Sequence, residues 1–320
     1  MKSLAKNKII KVAVGVLFDR DDNILIACRP KGLHLEGFWE FPGGKVEAHE
    51  TTAGALQREF EEELGIQIKP QQPLISIAHQ YPEKTVLLDV WRVALESGEA
   101  FGKEGQEIKW LPKSQLADYT FPEANQSIIK ALQLPEQYLI TPQCDADQTQ
   151  FMGHIKQALQ QGIGLIQLRS KNLSAHDYLA VAEKVNCLCL EHGAQLMLNS
   201  DCVSEVSISG VGLHLSSSAL SQLKTRPVAK TVWCGASCHN EQELNQAIAL
   251  DVDFVCLSPV LQTLSHPDAE PLGWQRFAAL CELSSVPVYA LGGLNLKHSA
   301  QVAAAGGQGV AGIHAFWPGQ

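Results

Sequence analysis

Residues 43–66, GGKVEAHETTAGALQREFEEELGI, constrain this chain more than any other stretch, because they read as glycine turn, loop and helix in one unbroken pattern. The spacing predicts a helix that opens at Thr51 or Thr52 and stops at Gly65, since glycine tolerates the left-handed conformation that commonly ends helices. At about 100° per residue, Leu56, Phe60 and Leu64 share one stripe with Ala53, which makes that stripe the expected buried face. Glu59, Glu62 and Glu63 stand at i, i+3 and i+4 and converge on a neighbouring face, with Ala55 in its middle and Glu61 turned to solvent. Carboxylates so placed repel one another. Either the helix shows water an acidic face, or the three groups hold a hard cation such as Mg²⁺, which takes oxygen ligands.

The company of the glutamates favours the metal. Gly44, Glu50, Arg58-Glu59, Glu62-Glu63 and Gly65 reproduce G-x5-E-x7-R-E-U-x-E-E-x-G-U. This resembles the Nudix box of the Nudix hydrolases, with Phe60 where an aliphatic residue is usual.

A chain of 320 residues exceeds one ordinary domain, so two are expected. Hydrophobic content of 45% with 18% charged residues suits a soluble protein with large cores. The net charge of −9, without a long basic run, argues against stable nucleic-acid binding but leaves a nucleotide substrate open. The N-terminal apolar run is short, β-branched and leads into Asp21-Asp22-Asn23, so it reads as a first strand and not as a signal peptide. No stretch reaches the roughly 18 continuous apolar residues a membrane span needs, so no membrane partner is expected. The nine cysteines form no C-x-x-C pairs, which points to a reduced, cytoplasmic setting with neither zinc nor disulfides.

Before and after the acidic helix the pattern alternates as strands do. A hairpin is expected from residues 9–18 and 23–28, then strands over 75–81, 86–95 and 108–111, and a closing helix over 122–132. Mixed strands around these two helices suit an α/β/α sandwich spanning residues 1–133. The runs EFPGGK (40–45), GKEGQ (102–106) and FPEAN (121–125) narrow the resemblance to MutT-type Nudix hydrolases, which clear oxidised guanine nucleotides such as 8-oxo-dGTP from the pool. That resemblance implies a nucleoside triphosphate substrate and Mg²⁺, with Mn²⁺ as a substitute. It implies metal ligands at Gly43, Glu59, Glu62, Glu63 and Glu104, and nucleotide contacts at Arg29, His34, Glu40, Phe41, Asn125 and Lys84. Asn125 offers one acceptor and two donors, enough for a guanine-like edge, and is equally a good helix cap. Glu59 is a ligand or general base, Arg58 orients the glutamates, and Glu50 braces the loop.

After residues 134–137 the chain changes to apolar strand, helix, apolar strand, repeated. Eight strands are expected over 138–142, 165–169, 195–199, 212–215, 232–237, 254–259, 287–291 and 309–313, which over residues 138–320 suggests a compact (β/α)8 TIM barrel. QLRSK, GLHL, GASCH, LSPVLQT, YALGG and GVAGIHAF resemble the thiamine phosphate synthase/TenI superfamily. The resemblance places a phosphate or phosphorylated thiazole against Gln167, Arg169, Lys171 and the Gly292-Gly293 turn, with Gly309 nearby. The synthases carry a metal-binding Asp where this chain has Ser200, another where it reads Ser216-Ser217-Ser218-Ala219, and a Lys where it has Ser265-His266. Phosphate binding without diphosphate displacement is therefore expected, with Asp201 the one candidate to replace a missing carboxylate and a bifunctional enzyme whose barrel makes thiamine phosphate standing as the alternative. A thiazole tautomerase, a phosphate-ligand sensor or an inert partner domain all remain open, because fold alone cannot choose among them.

Overall fold

The computed structural model describes residues 8–30, 32, 35–81, 84–144, 148–203, 205–263 and 270–318. His34, Ser265 and His266 lie outside the described residues. The chain divides into two compact units, Met1–Gln133 with Cys281–Ser285, and Leu134–Leu280 with Val286–Gln320.

The first unit runs β1 (Lys8–Leu17), β2 (Ile24–Cys28), β3 (Trp39–Glu40), β4 (Gly43–Lys45), α1 (Thr52–Leu64), β5 (Gln67–Tyr81), β6 (Lys84–Ser97), β7 (Ile108–Leu111) and α2 (Glu123–Gln133). One sheet has the order β4-β1-β6-β5 and the other β3-β2-β7. Strand β1 shows why two helices sandwich the sheet. Its odd residues Ala13 and Leu17 join Ala55, Leu56, Phe60 and Leu64 of α1 in one core, while Val14 and Val16 join Ile128 and Ile129 of α2 in another.

Helix α1 starts at Thr51, whose hydroxyl accepts from the Gly54 N–H, and ends at Gly65 with φ 66°. Its buried face is Thr52, Ala55, Leu56, Phe60 and Leu64. This corrects one assignment: Ala55 belongs to the core and Ala53 to its edge, because the face is wider than the Leu56–Phe60–Leu64 stripe.

Three strand expectations are also corrected. The chain does turn after β1, with the Asp19 carboxylate accepting from the N–H groups of Asp21 and Asn23 at 2.8 Å each, but β1 and β2 lie in different sheets, linked by an isolated Phe18–Ile24 bridge. Both edges of β1 are already taken, by β4 and by β6, so no hairpin can form. The Gly43-Gly44 turn is a strand, paired with Val14 and Ala13. Strand β5 begins eight residues before the expected position 75, at Gln67, because register shifts between Pro70 and Gln72 and between Pro73 and Ile75 absorb the missing proline donors.

The second unit contains β8 (Gln137–Ile140), β9 (Leu165–Leu168), β10 (Gln195–Asn199), β11 (Gly212–Leu215), β12 (Cys234–Cys238), β13 (Phe254–Leu257), β14 (Val288–Leu291) and β15 (Gly309–Gly312), closed into a parallel barrel where β15 pairs with β8. Among the described residues no helix stands between β10 and β11, so the expectation of eight βα units fails there; the Ser200 N–H donates straight to the His214 carbonyl and ties that connection onto β11. Gly309 also departs from expectation. It lies at the N-terminal end of β15, where an added Cβ would stand 2.0 Å from the Glu136 carbonyl oxygen, and barrel ligands bind at the opposite face.

Candidate active site and barrel mouth

Arg58 organises the acidic face of α1. Its Nε and Nη2 each lie 3.1 Å from a different oxygen of Glu50, Nη2 also reaches the Lys45 carbonyl at 3.1 Å, and Nη1 donates to Glu59 at 2.8 Å and Glu62 at 3.2 Å. One guanidinium therefore ties the loop before the helix to two of its carboxylates. Glu59 lies directly over β4, for an added Cβ on Gly44 would stand 2.0 Å from its Oε1.

The three glutamates differ in depth. Side-chain exposure is 58% for Glu62 and 15% for Glu59, and Glu63 is half-buried. Burial, then the charges of Glu40, Glu59 and Glu104, push the Glu63 carboxyl up to about 8, although the Gly43 N–H donates to it. Glu104 is itself exposed, on a loop docked against the end of α1 through Lys103 N–H and Gln106 Nε2, which donate to the Glu63 carbonyl at 2.9 and 2.7 Å. Among the described residues no three acidic, histidine or cysteine side chains form a ready-made metal cluster. The donor set nevertheless fits a divalent cation: hard oxygen ligands on one helix face, and a carboxyl whose ionisation is suppressed by burial first and then by the negative charge around it.

Beside this face opens a cleft of about 180 Å³ lined by Val12, Val14, Arg29, Leu35, Glu40, Phe41, Gly43, Val86, Leu88, Pro122, Ala124 and Asn125. Thus Arg29, Glu40, Phe41, Gly43 and Asn125, named from sequence, come together in one place. Asn125 Oδ1 accepts from the Phe41 N–H at 3.5 Å. Arg29 Nη1 pairs with Glu40, whose carboxyl burial raises against the pull of that cation. Lys84 is exposed at the start of β6 and is not among the lining residues. Sequence reading missed the apolar walls of the cleft, although Val12 and Val14 of β1, and Val86 and Leu88 of β6, alternate with period two.

Within the barrel a polar chain crosses the strands. Asn199 Nδ2 donates to Gln167 Oε1 at 3.0 Å, Gln167 Nε2 to Tyr138 Oη at 2.9 Å, and Tyr138 Oη lies 3.1 Å from His214 Nδ1, whose Nε2 is 2.9 Å from Ser237 Oγ. Burial pushes His214 down to about 3, so the ring is neutral; because Tyr138 Oη already accepts from Gln167, its O–H is assigned as donor to Nδ1, which leaves Nε2–H to donate to serine. Gln167 is 2% exposed and committed to this chain, which separates it from Arg169 and Lys171 at the mouth. In the sequence Gln167, Asn199, His214 and Ser237 stand at or near the C-terminal ends of apolar strand runs, the positions expected to face a barrel site.

At the mouth, Lys171 Nζ pairs with Asp201 Oδ2, and Ser216 Oγ donates to Asp201 Oδ1. His239 Nδ1 donates to the Ser258 carbonyl at 2.7 Å. Gly292 and Gly293 adopt φ 100° and 69° and pack against the loop after β13, where added Cβ atoms would meet Pro259 at 2.8 Å and the Gln262 carbonyl at 2.4 Å.

Carboxylates gathered on a helix beside a cleft that brings Arg29 and Asn125 together define, in class, a metal-dependent phosphoanhydride hydrolase, and a parallel barrel follows it in the chain. Residues 13–131 match the family model described as NUDIX domain, and residues 137–316 the one described as thiamine monophosphate synthase. The chain belongs to both families, a Nudix pyrophosphohydrolase domain followed by a thiamine monophosphate synthase-family domain. It is 41% identical over 98 residues to the 8-oxo-dGTP diphosphatase of Proteus vulgaris, covering 31% of this chain and 88% of that protein. Identity to the 8-oxo-dGTP diphosphatase of Escherichia coli is 34% over 125 residues, covering 39% and 97%. Identity to the thiamine-phosphate synthase of Streptococcus suis is 34% over 185 residues, covering 56% and 80%. Nudix hydrolases work with a divalent metal ion. No helix among the described residues is long and apolar enough to cross a membrane.

Proposed function

We propose that the N-terminal domain is a Mg²⁺-dependent 8-oxo-dGTP diphosphatase acting in the cytoplasm. The observation that carries this reading is the cleft in which Arg29, Glu40, Phe41 and Asn125 lie beside the carboxylate face of α1. Glu59, Glu62, Glu63 and Glu104, with the Gly43 backbone, are the groups that would hold the metal. When bound, the ion neutralises phosphate oxygens and acidifies the attacking water. The chain's own part is positional. Asn125 and the Phe41 backbone hold the purine edge, Val14, Leu88 and Pro122 exclude water from its face, and Arg29 reaches the nucleotide from the other wall. Water attacks the β phosphorus, the bond to the α–β bridging oxygen breaks, and nucleoside monophosphate and pyrophosphate leave. Glu59, held by Arg58, accepts the water's proton or binds metal.

The barrel is read as a binding domain for a phosphate or phosphorylated thiazole through Arg169 and Lys171. Asp201, the carboxylate one residue after Ser200, is already engaged by Lys171 and Ser216, which favours this over a diphosphate-displacing synthase. A screen of the purified protein against nucleoside triphosphates, including oxidised guanine forms, with and without Mg²⁺, tests the first reading. Calorimetry with phosphate, and an assay for thiamine phosphate from its two precursors, test the second. Preference for an unoxidised nucleotide overturns the first reading, and Mg²⁺-dependent thiamine phosphate synthesis overturns the second.

A further inference from the structure

Arg169 and Lys171 present two cations at the barrel mouth, and a carboxylate of this chain already occupies the second. Lys171 Nζ sits on Asp201 Oδ2, and the Asp201 carboxyl also feels the charge of Arg169. The other oxygen, Oδ1, accepts from Ser216 Oγ. The loop is fixed as well as the side chain: the Asp201 N–H donates to Asn199 Oδ1 at 3.0 Å, and the Ser216 N–H to Ser200 Oγ at 2.9 Å. Both carboxylate oxygens are thus used by donors of this chain. A cation approaching Asp201 would have to displace an ammonium from one oxygen and a hydroxyl from the other, with two positive side chains facing it. An anion would meet the same two side chains, with Asp201 already in the seat of its oxygens.

We propose that Asp201 is an internal competitor for the barrel's anionic ligand: a phosphate group takes Lys171 and Arg169 only by displacing the Asp201 carboxylate, and it does so without a metal ion. The carboxylate sets a threshold. A singly charged anion gains little by replacing an anchored carboxylate of equal charge, whereas a doubly charged phosphate gains from both cations. The site therefore selects phosphate monoesters and inorganic phosphate over carboxylates. Asp201 acts on specificity and affinity, not on any bond-breaking step.

The inference rests on the reading of the barrel as an anion-binding domain, and one experiment separates the two. The full-length protein is titrated calorimetrically with inorganic phosphate in EDTA, as wild type, Asp201→Asn, Asp201→Ala, Lys171→Ala and the Asp201→Asn/Lys171→Ala pair, each checked for an unchanged melting profile. Binding that survives Lys171→Ala is assigned elsewhere and subtracted. Removing one adjacent negative charge is expected to tighten phosphate binding about tenfold. Asp201→Asn should show this gain while keeping its contact to Ser216, Asp201→Ala should show it in the same direction, and the double variant should lose it. If wild type and Lys171→Ala bind phosphate alike, the anion-binding reading itself fails. Should Lys171→Ala lose binding while neither Asp201 variant gains it, only the competitor role is wrong. Pyrophosphate binding that appears on adding Mg²⁺ and vanishes in Asp201→Asn would make Asp201 a metal ligand and overturn the inference.

Discussion

Glu59, Glu62 and Glu63 come from little more than one helical turn, yet they meet the solvent differently. Glu62 is largely exposed, Glu59 is pinned between Arg58 and β4, and Glu63 faces the other carboxylates from a half-buried position. Glu63→Gln and Glu62→Gln should each lower turnover by about a hundredfold or more at limiting Mg²⁺, because each removes one charged ligand from a site built on charge, while helix propensity barely changes. Steady-state hydrolysis over a Mg²⁺ series checks this, and ordinary turnover in either variant would remove the metal assignment. Asn125 makes a different claim. Its Oδ1 already accepts from the Phe41 N–H, leaving the amide donors for a base edge. Asn125→Ala should reduce the kcat/KM ratio of 8-oxo-dGTP to dGTP by about tenfold or more with the Mg²⁺ dependence intact. An unchanged ratio would make Asn125 a helix residue and nothing else.

At the scale of elements, the strand and helix that build the site fit through a pair of complementary residues. Phe60 stands where the Nudix pattern usually has an aliphatic side chain, and its ring lies over β1 at Gly15, where an added Cβ would stand 2.4 Å from it. Gly15→Ala should destabilise the domain by about 1–3 kcal/mol through overpacking. Adding Phe60→Leu should return about 1 kcal/mol or more of that loss, since the two positions share one space. Denaturant unfolding of the two single variants and the double reads the coupling, and additive losses would show that ring and strand are independent. Neither partner announces the other in the sequence, where a glycine inside an apolar strand and an aromatic on a helix are both ordinary. Much else was legible. The position of α1 followed from Thr51, Gly65 and the 3.6-residue stripe, and the barrel strands from eight short apolar runs. Two kinds of element hid. Gly43-Gly44 has the composition of a turn, and only the closeness of Glu59 and Ala13 makes glycine a strand residue there. Pro70 and Pro73 mask the first half of β5 because bulges, which leave no pattern in composition, supply the correction. The cleft was half visible. Its polar residues sit in recognisable runs, whereas its apolar walls come from strands distant in sequence whose pairing, Val12 with Leu88 and Val14 with Val90, exists only in the fold.

For the molecule as a whole, the two units carry buried groups that push stability in opposite directions with pH. The Glu63 carboxyl is raised to about 8, by burial first and then by Glu40, Glu59 and Glu104. In the absence of metal its proton is held more tightly folded than unfolded, so this contribution is full below the ordinary carboxyl value of 4.5 and is lost as pH rises through about 8. His214 in the barrel is depressed to about 3 by burial, so its contribution is full above 6.5 and is lost as pH falls towards 3. On the proposed metal role, a divalent cation would take the place of the Glu63 proton and should be bound more tightly as pH rises. In EDTA, then, hydrogen-exchange protection of α1 peptides over residues 52–64 should fall between pH 5 and 8, while that of β11 peptides over residues 212–215 rises over the lower part of the same range. Saturating Mg²⁺ should restore α1 protection most at pH 8, by the binding free energy it adds to the folded state alone, and leave β11 protection unmoved. Glu63→Gln should flatten the α1 trend, for an amide has no proton to lose and no net charge to bury. If protection of the two peptides moved in parallel with pH, or if Mg²⁺ protected α1 equally at pH 5 and pH 8, Glu63 would not be the group that links protons to metal in this protein.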